Sequence, residues 1–131
     1  MAEADTIAHV MRTTFLRLTP DTPIRKAVAD LIASGATAAP VVDDGGQLAG
    51  IFTQKDCFGP ALHSAYYQAW SDTVARYMTH NVETLDADTS LIAAAERFHQ
   101  TSYRAYPVLR DGRLVGMLDR ADLLTAFLDL G

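Results

Sequence analysis

The sequence predicts an α/β fold made of two copies of a strand-helix-strand-strand-helix unit, packed sheet to sheet with pseudo-two-fold symmetry. Three observations predict it. Residues recur at an offset of 67: Met11 as Met78, Asp21-Thr22 as Asp88-Thr89, Ala27 as Ala94, Pro40-Val41 as Pro107-Val108. Beyond the glycine-bearing turns the offset becomes 66, pairing Leu48 with Leu114, Gly50 with Gly116 and Asp56 with Asp122. Each copy also carries a helical apolar stripe followed by two short apolar runs around a turn. A sustained offset with one indel in a turn marks a tandem duplication. Units of about 50 residues cannot each cover both faces of a small sheet, so the two sheets are expected to face one another.

In chain order, a short extended piece opens each copy, Phe15 to Leu18 and Val82 to Leu85. Asp21-Thr22-Pro23 then offers an N-cap with proline at the first helical position. Ile24, Ala27, Val28, Leu31 and Ile32 form the buried stripe of that helix, and Leu91, Ala94, Ala95 and Phe98 repeat it. Strands are expected at Ala39–Asp43 and Gln47–Phe52 around Gly45-Gly46, and at Tyr106–Arg110 and Arg113–Leu118 around Asp111-Gly112. A closing helix starts near Thr53 in the first copy and near Asp119 in the second. The boundaries are 8–57 for the first unit, 58–74 for a helical linker and 75–131 for the second unit. In the linker, Ala61, Leu62, Ala65, Tyr66 and Ala69 have helical spacing, and Gly59-Pro60 is expected to break or kink the preceding helix and to start a second one at the proline. Tyr66, Tyr67 and Trp70 are either a dimer contact or packing over the core.

Composition narrows the function. At 131 residues, 49% hydrophobic and 21% charged, the chain has the profile of one globular domain. Sixteen acidic against eleven basic residues leave a charge of −5, which argues against a nucleic-acid binder. A single cysteine, Cys57, excludes an intramolecular disulfide and suits a reducing compartment. His9, His63, His80 and His99 lack metal-ligand spacing. Met1–Asp5 lacks the basic-then-apolar pattern of a signal peptide, and no apolar run approaches the roughly 18 residues of a membrane span. The expected address is the cytoplasm, without membrane attachment. No nucleophile-base constellation or P-loop is present, so no catalysis is expected.

The motifs occur twice in order. They are Val10-Met11, Ala39-Pro40-Val41-Val42-Asp43 and Gly50-Ile51-Phe52-Thr53-Gln54-Lys55-Asp56 in the first copy. In the second they are Tyr77-Met78-Thr79, Tyr106-Pro107-Val108-Leu109 and Gly116-Met117-Leu118-Asp119-Arg120-Ala121-Asp122. Together they resemble a tandem pair of cystathionine-β-synthase (CBS) domains, a Bateman module, here standing alone. The resemblance implies a regulatory module that binds an adenosine-containing ligand (AMP, ADP, ATP or S-adenosylmethionine) in clefts between the units. It also implies a homodimer and a protein partner regulated in trans. The alternative is a constitutive dimerisation or scaffold module with vestigial clefts.

A ribose diol is well held by a carboxylate, and a phosphate by a hydroxyl and free N–H groups at a helix start. The resemblance assigns Asp56 to the ribose and Thr53 to the phosphate side. Thr53-x-x-Asp56 equally reads as a capping box, and both roles are compatible. For adenine the resemblance points to Ala38, Ala39 and Pro40 with Thr14 and Leu16, and in the second site to Tyr106 and Pro107; simple core packing is the other reading. Asp119 replaces the expected threonine or serine and would repel a phosphate unless Arg104 or Arg120 compensates. Asp122 remains suited to a ribose.

Overall fold

The computed structural model describes residues 5–130; residues 1–4, part of the Met1–Asp5 stretch read as lacking a signal-peptide pattern, and Gly131 lie outside them. Two compact units result, a central one of Leu16–Val82 and a composite one of Met1–Phe15 with Glu83–Gly131. The central unit contains α1 (Ile24–Ser34), β1 (Ala38–Val42), β2 (Leu48–Thr53), a 3-10 turn (Lys55–Cys57), α2 (Phe58–Tyr67) and α3 (Val74–Tyr77). The composite unit contains a 3-10 turn (Ile7–His9), β3 (Leu85–Asp86), α4 (Leu91–Gln100), β4 (Ala105–Arg110), β5 (Arg113–Asp119) and α5 (Arg120–Leu130). The α/β class and the two expected hairpins are present.

Strands β1 and β2 pair antiparallel, as do β4 and β5. The register shifts at Val41/Val42 and at Val108/Leu109, so the duplication extends to the same bulge in each hairpin. The lost residue sits in the turn. Asp111 and Gly112 both have positive φ (52° and 77°), a tight two-residue connection. The longer first turn is held by the Asp43 carboxylate, which accepts from the N–H groups of Gly45 and Gln47, each at 2.9 Å. The leading extended pieces differ in extent. Leu85–Asp86 forms a parallel pair with β4, whereas Leu18 makes only a single parallel bridge to Val41.

The leading segments are exchanged between the repeats. In the central unit, α3 belongs to the second repeat, yet the Val74 and Ala75 N–H groups donate to the Thr22 and Pro20 carbonyls. In the composite unit, Ile7 and Ala8 donate likewise to Thr89 and Ala87. Val74 and Ile7, 67 positions apart, are both fully buried. Each is a member of the core it docks into, Val74 with Leu18, Leu31 and Phe52, and Ile7 with Leu91, Tyr106 and Leu118. Their periodic apolar residues are thus satisfied by burial, at roughly 1.5–3 kcal/mol for each large side chain.

The exchange also corrects the expected start of α1. Pro23 takes the cap position with extended ψ (136°) instead of the first helical turn, because its backbone bridges Thr73. Asp21 and Thr22 do not cap α1; their side chains bond Thr19. In the second repeat the cap is Ser90, whose Oγ accepts from the Ala93 N–H at 3.0 Å. Ser90→Ala is expected to cost about 1 kcal/mol, read as a lower thermal midpoint. The closing helix of the first copy begins as the 3-10 turn Lys55–Cys57, and α2 starts at Phe58 with Pro60 buried in its first turn, where a missing N–H is harmless.

Candidate functional site

Thr53 ends β2, and the chain turns at once into the Lys55–Cys57 helix, placing Asp56 over that turn. The capping box is fully formed. The Thr53 N–H donates to Asp56 Oδ2 at 2.9 Å, and the Asp56 N–H donates to Thr53 Oγ1 at 3.2 Å. Thr79 Oγ1 makes a longer 3.5 Å contact to the same Oδ2. No donor among the described residues reaches Oδ1, so a half-buried carboxylate is fixed in place with one oxygen still available. Ala38 pairs with Thr53 across the hairpin and Pro40 with Ile51, which brings the predicted Ala38, Ala39 and Pro40 beside this turn. Leu16 is packed against the same core.

The composite unit repeats the strand end but passes directly into α5 without a 3-10 turn, and its side chains differ. Asp119 ends β5 and caps α5, its Oδ1 accepting from the Ala121 N–H at 2.8 Å. Asp122 does not reach back to the cap. Arg12 takes both of its oxygens, Nε to Oδ2 at 2.7 Å and one terminal nitrogen to Oδ1 at 3.2 Å. The arginine that meets Asp122 is therefore Arg12. The hydrogen bonds that Arg12 donates to Asp122 and that carboxylate's charge, with a smaller contribution from Asp119, raise the guanidinium pKa above its ordinary value.

Arg12 and Thr79 occupy the same repeat position, and a matched device holds each. Arg12 exchanges two backbone hydrogen bonds with Met117, and Thr79 exchanges two with Ile51. Each bridge runs over a glycine. A Cβ on Gly50 would lie 2.7 Å from the Thr79 carbonyl oxygen and 2.8 Å from Met78 Sδ. One on Gly116 would lie 2.5 Å from Met11 Sδ and 3.0 Å from the Arg12 carbonyl oxygen. The repeated methionine and glycine of the motif are thus contact partners, and they aim the next residue at the aspartate.

The family model for the CBS domain matches residues 7–59 and again 74–129, most of the chain. The chain belongs to the CBS domain family. It is 29% identical over 128 residues to a CBS domain-containing protein of Dictyostelium discoideum, covering 90% of this chain and 88% of that one. It is 34% identical over 106 residues to an uncharacterized protein of Methanocaldococcus jannaschii, of which it covers only 24%. The solved structure of CBSX2 in complex with AMP, a CBS-pair protein of Arabidopsis thaliana, superposes with a TM-score of 0.84 at 26% identity, covering 96% of this chain and 98% of that one.

Other residues assigned from the CBS resemblance are less uniformly placed. Thr14 is exposed and belongs to the composite unit, not to the unit that holds Ala38 and Pro40. Tyr106 is a core residue, 1% exposed, with its hydroxyl bonded to Thr101 Oγ1 at 2.8 Å, so its ring is committed to packing. Pro107 is buried beside it, and Arg104 is exposed. Tyr66 and Tyr67 do not pack over the core, being 81% and 71% exposed. Sequence reasoning missed Arg12, Thr79 and Thr37. The repeat offset that pairs Arg12 with Thr79 was the signal for the first two. Thr37, next to Ala38, carries a buried Oγ1 without a partner among the described residues, a costly state usually tied to function or an unseen partner.

Cys57 is buried, and its Sγ lies 3.5 Å from the Thr53 carbonyl oxygen. Burial, and then the charge of Asp56, push the thiol up from 9.0 to about 11. It is protonated and inert at neutral pH. The folded thiol is neutral where the unfolded one ionises, so its contribution to stability is complete below pH 9 and lost towards 11. Iodoacetamide at pH 8 is expected to label Cys57 only as fast as the protein opens, and Cys57→Ser should flatten the alkaline loss of stability.

Proposed function

We propose that this chain is a regulatory sensor that binds an adenosine-containing nucleotide at the Asp56 turn and signals by changing its contacts with a second copy or a protein partner. The observation that carries the reading is the Asp56 carboxylate, immobilised by the capping box yet keeping Oδ1 for a ribose diol. Thr53 at the helix start suits a phosphate, and the orphaned hydroxyl of Thr37 offers a further polar anchor. CBSX2, whose structure is known with AMP, supports the ligand class. AMP, ADP, ATP and S-adenosylmethionine are the regulatory ligands to test; no catalysis by the chain is proposed, and the cytoplasm is the proposed location. Sensing requires that the ligand favour one arrangement of the protein over another.

A second reading, a constitutive dimerisation module, draws on apolar stripes that α2 and α5 present to solvent. Phe58, Leu62 and Tyr66 lie four residues apart on α2, and Leu124 and Leu128 hold the corresponding places on α5. Thermal shift against the four ligands, NADH and adenosine separates the readings. A shift with one adenosyl ligand supports the sensor. Silence throughout, with a dimer in light scattering, supports the scaffold.

A further inference from the structure

We infer that Arg12 handicaps the composite unit's site by acting as an internal ligand of Asp122, so that the chain takes its first adenosyl ligand at Asp56 and a second one only more weakly. The inference deepens the function proposed above and rests on its reading of Asp56 and Asp122 as ribose carboxylates. The two turns are built on one backbone plan: a β-strand end, a leading segment bridged over a glycine, and an aspartate facing that bridge. The side chain projecting from the bridge differs in its grip. Thr79 is short and touches Oδ2 alone, at 3.5 Å, which leaves Oδ1 of Asp56 for a ligand. Arg12 forks onto both oxygens of Asp122, so a diol there must compete with a charge-assisted pair for its acceptors.

Asp119 works in the same direction. Where Thr53 presents a hydroxyl to a phosphate, Asp119 presents a second negative charge, which helps hold Arg12 in place and repels the anion. The Arg12 side chain is 61% exposed and that of Asp122 28%, so the pair is not a buried lock. A solvent-exposed bidentate pair of this kind handicaps a competing diol by about fivefold.

The test is calorimetric titration of the full chain with adenosine, chosen because it lacks the phosphate that Asp119 would repel. The variants are Arg12→Thr, which copies the residue at the matching position of the other repeat, Asp56→Ala, and the two combined. The wild type is expected to bind one adenosine at Asp56 with any second event about fivefold weaker or more, Asp56→Ala to lose the stronger event, Arg12→Thr to bring the second event up to the strength of the first, and the double variant to keep one event at that strength. Adding Asp122→Ala to the double variant should abolish that last event. Two equivalent sites in the wild type, or no gain in Arg12→Thr, overturn the inference and leave the Asp56 reading standing. A silent wild type with binding in the double variant does the reverse. Should Arg12→Thr fail to fold by circular dichroism, Arg12→Gln keeps the side-chain length without the charge and carries the same expectations. No binding in any variant overturns both.

Discussion

Replacing Asp56 with alanine is expected to remove the stabilisation that an adenosyl ligand confers on this protein. A ligand at one hundred times its dissociation constant stabilises by about 2.7 kcal/mol, roughly a 10 °C shift for a chain of this size. The substitution also breaks the capping box, leaving the Thr53 N–H without its 2.9 Å acceptor, so the apo protein should itself lose about 1 kcal/mol. Each variant must therefore be judged by its shift over its own baseline. Asp56→Asn separates the two roles. Its amide oxygen still accepts from Thr53 and preserves the cap, but the charge and the second acceptor are gone. Hydrogen bonds to a charged group are worth roughly 1.5–3 kcal/mol, so binding should weaken by about tenfold or more while the apo midpoint stays near wild type. A full ligand shift in Asp56→Ala would place the ligand elsewhere.

Much of this was legible in the chain, because duplication writes each structural constraint twice. The glycine at 50 and 116 and the methionine at 78 and 11 stood out as repeats, and they turn out to touch each other. Thr53-x-x-Asp56 announced a capping box by spacing alone, and the box is there. Less legible was which copy a leading segment would join. Local periodicity places Ile7 and Val74 on apolar faces but says nothing about the core that receives them, since both cores offer the same pocket at the same repeat position. The start of α1 was misplaced for the same reason: Pro23 is held at the cap by Thr73, some fifty residues away, and no capping preference encodes that. Arg12 was overlooked because residues 110 apart carry no local signal of an ion pair. Its meaning appears only when it is set beside Thr79.

The steric device behind both sites leads to the other large effect. Gly50→Ala is expected to lower stability by about 3 kcal/mol, which combines overpacking of about 1–3 kcal/mol with the weakening of two backbone hydrogen bonds. The first obstacle is backbone: the Thr79 carbonyl would lie 2.7 Å from the new Cβ, and that carbonyl accepts from the Ile51 N–H at 3.0 Å. It cannot retreat without opening the bridge. Gly116→Ala should cost less, because the nearest atom is the flexible Met11 Sδ and the Arg12 carbonyl lies farther away, at 3.0 Å. Gly45→Ala is the control, since its Cβ would meet only the Asp43 carboxylate at 3.4 Å, and it should stay within about 0.5 kcal/mol of wild type. Urea melts of the three variants give the order directly. Equal losses at positions 50 and 45 would mean that the cost is one of backbone entropy and that the bridge is not what these glycines serve. If the order holds, Gly50→Ala should also weaken ligand binding at Asp56, because moving Thr79 releases one of the two donors that orient the carboxylate.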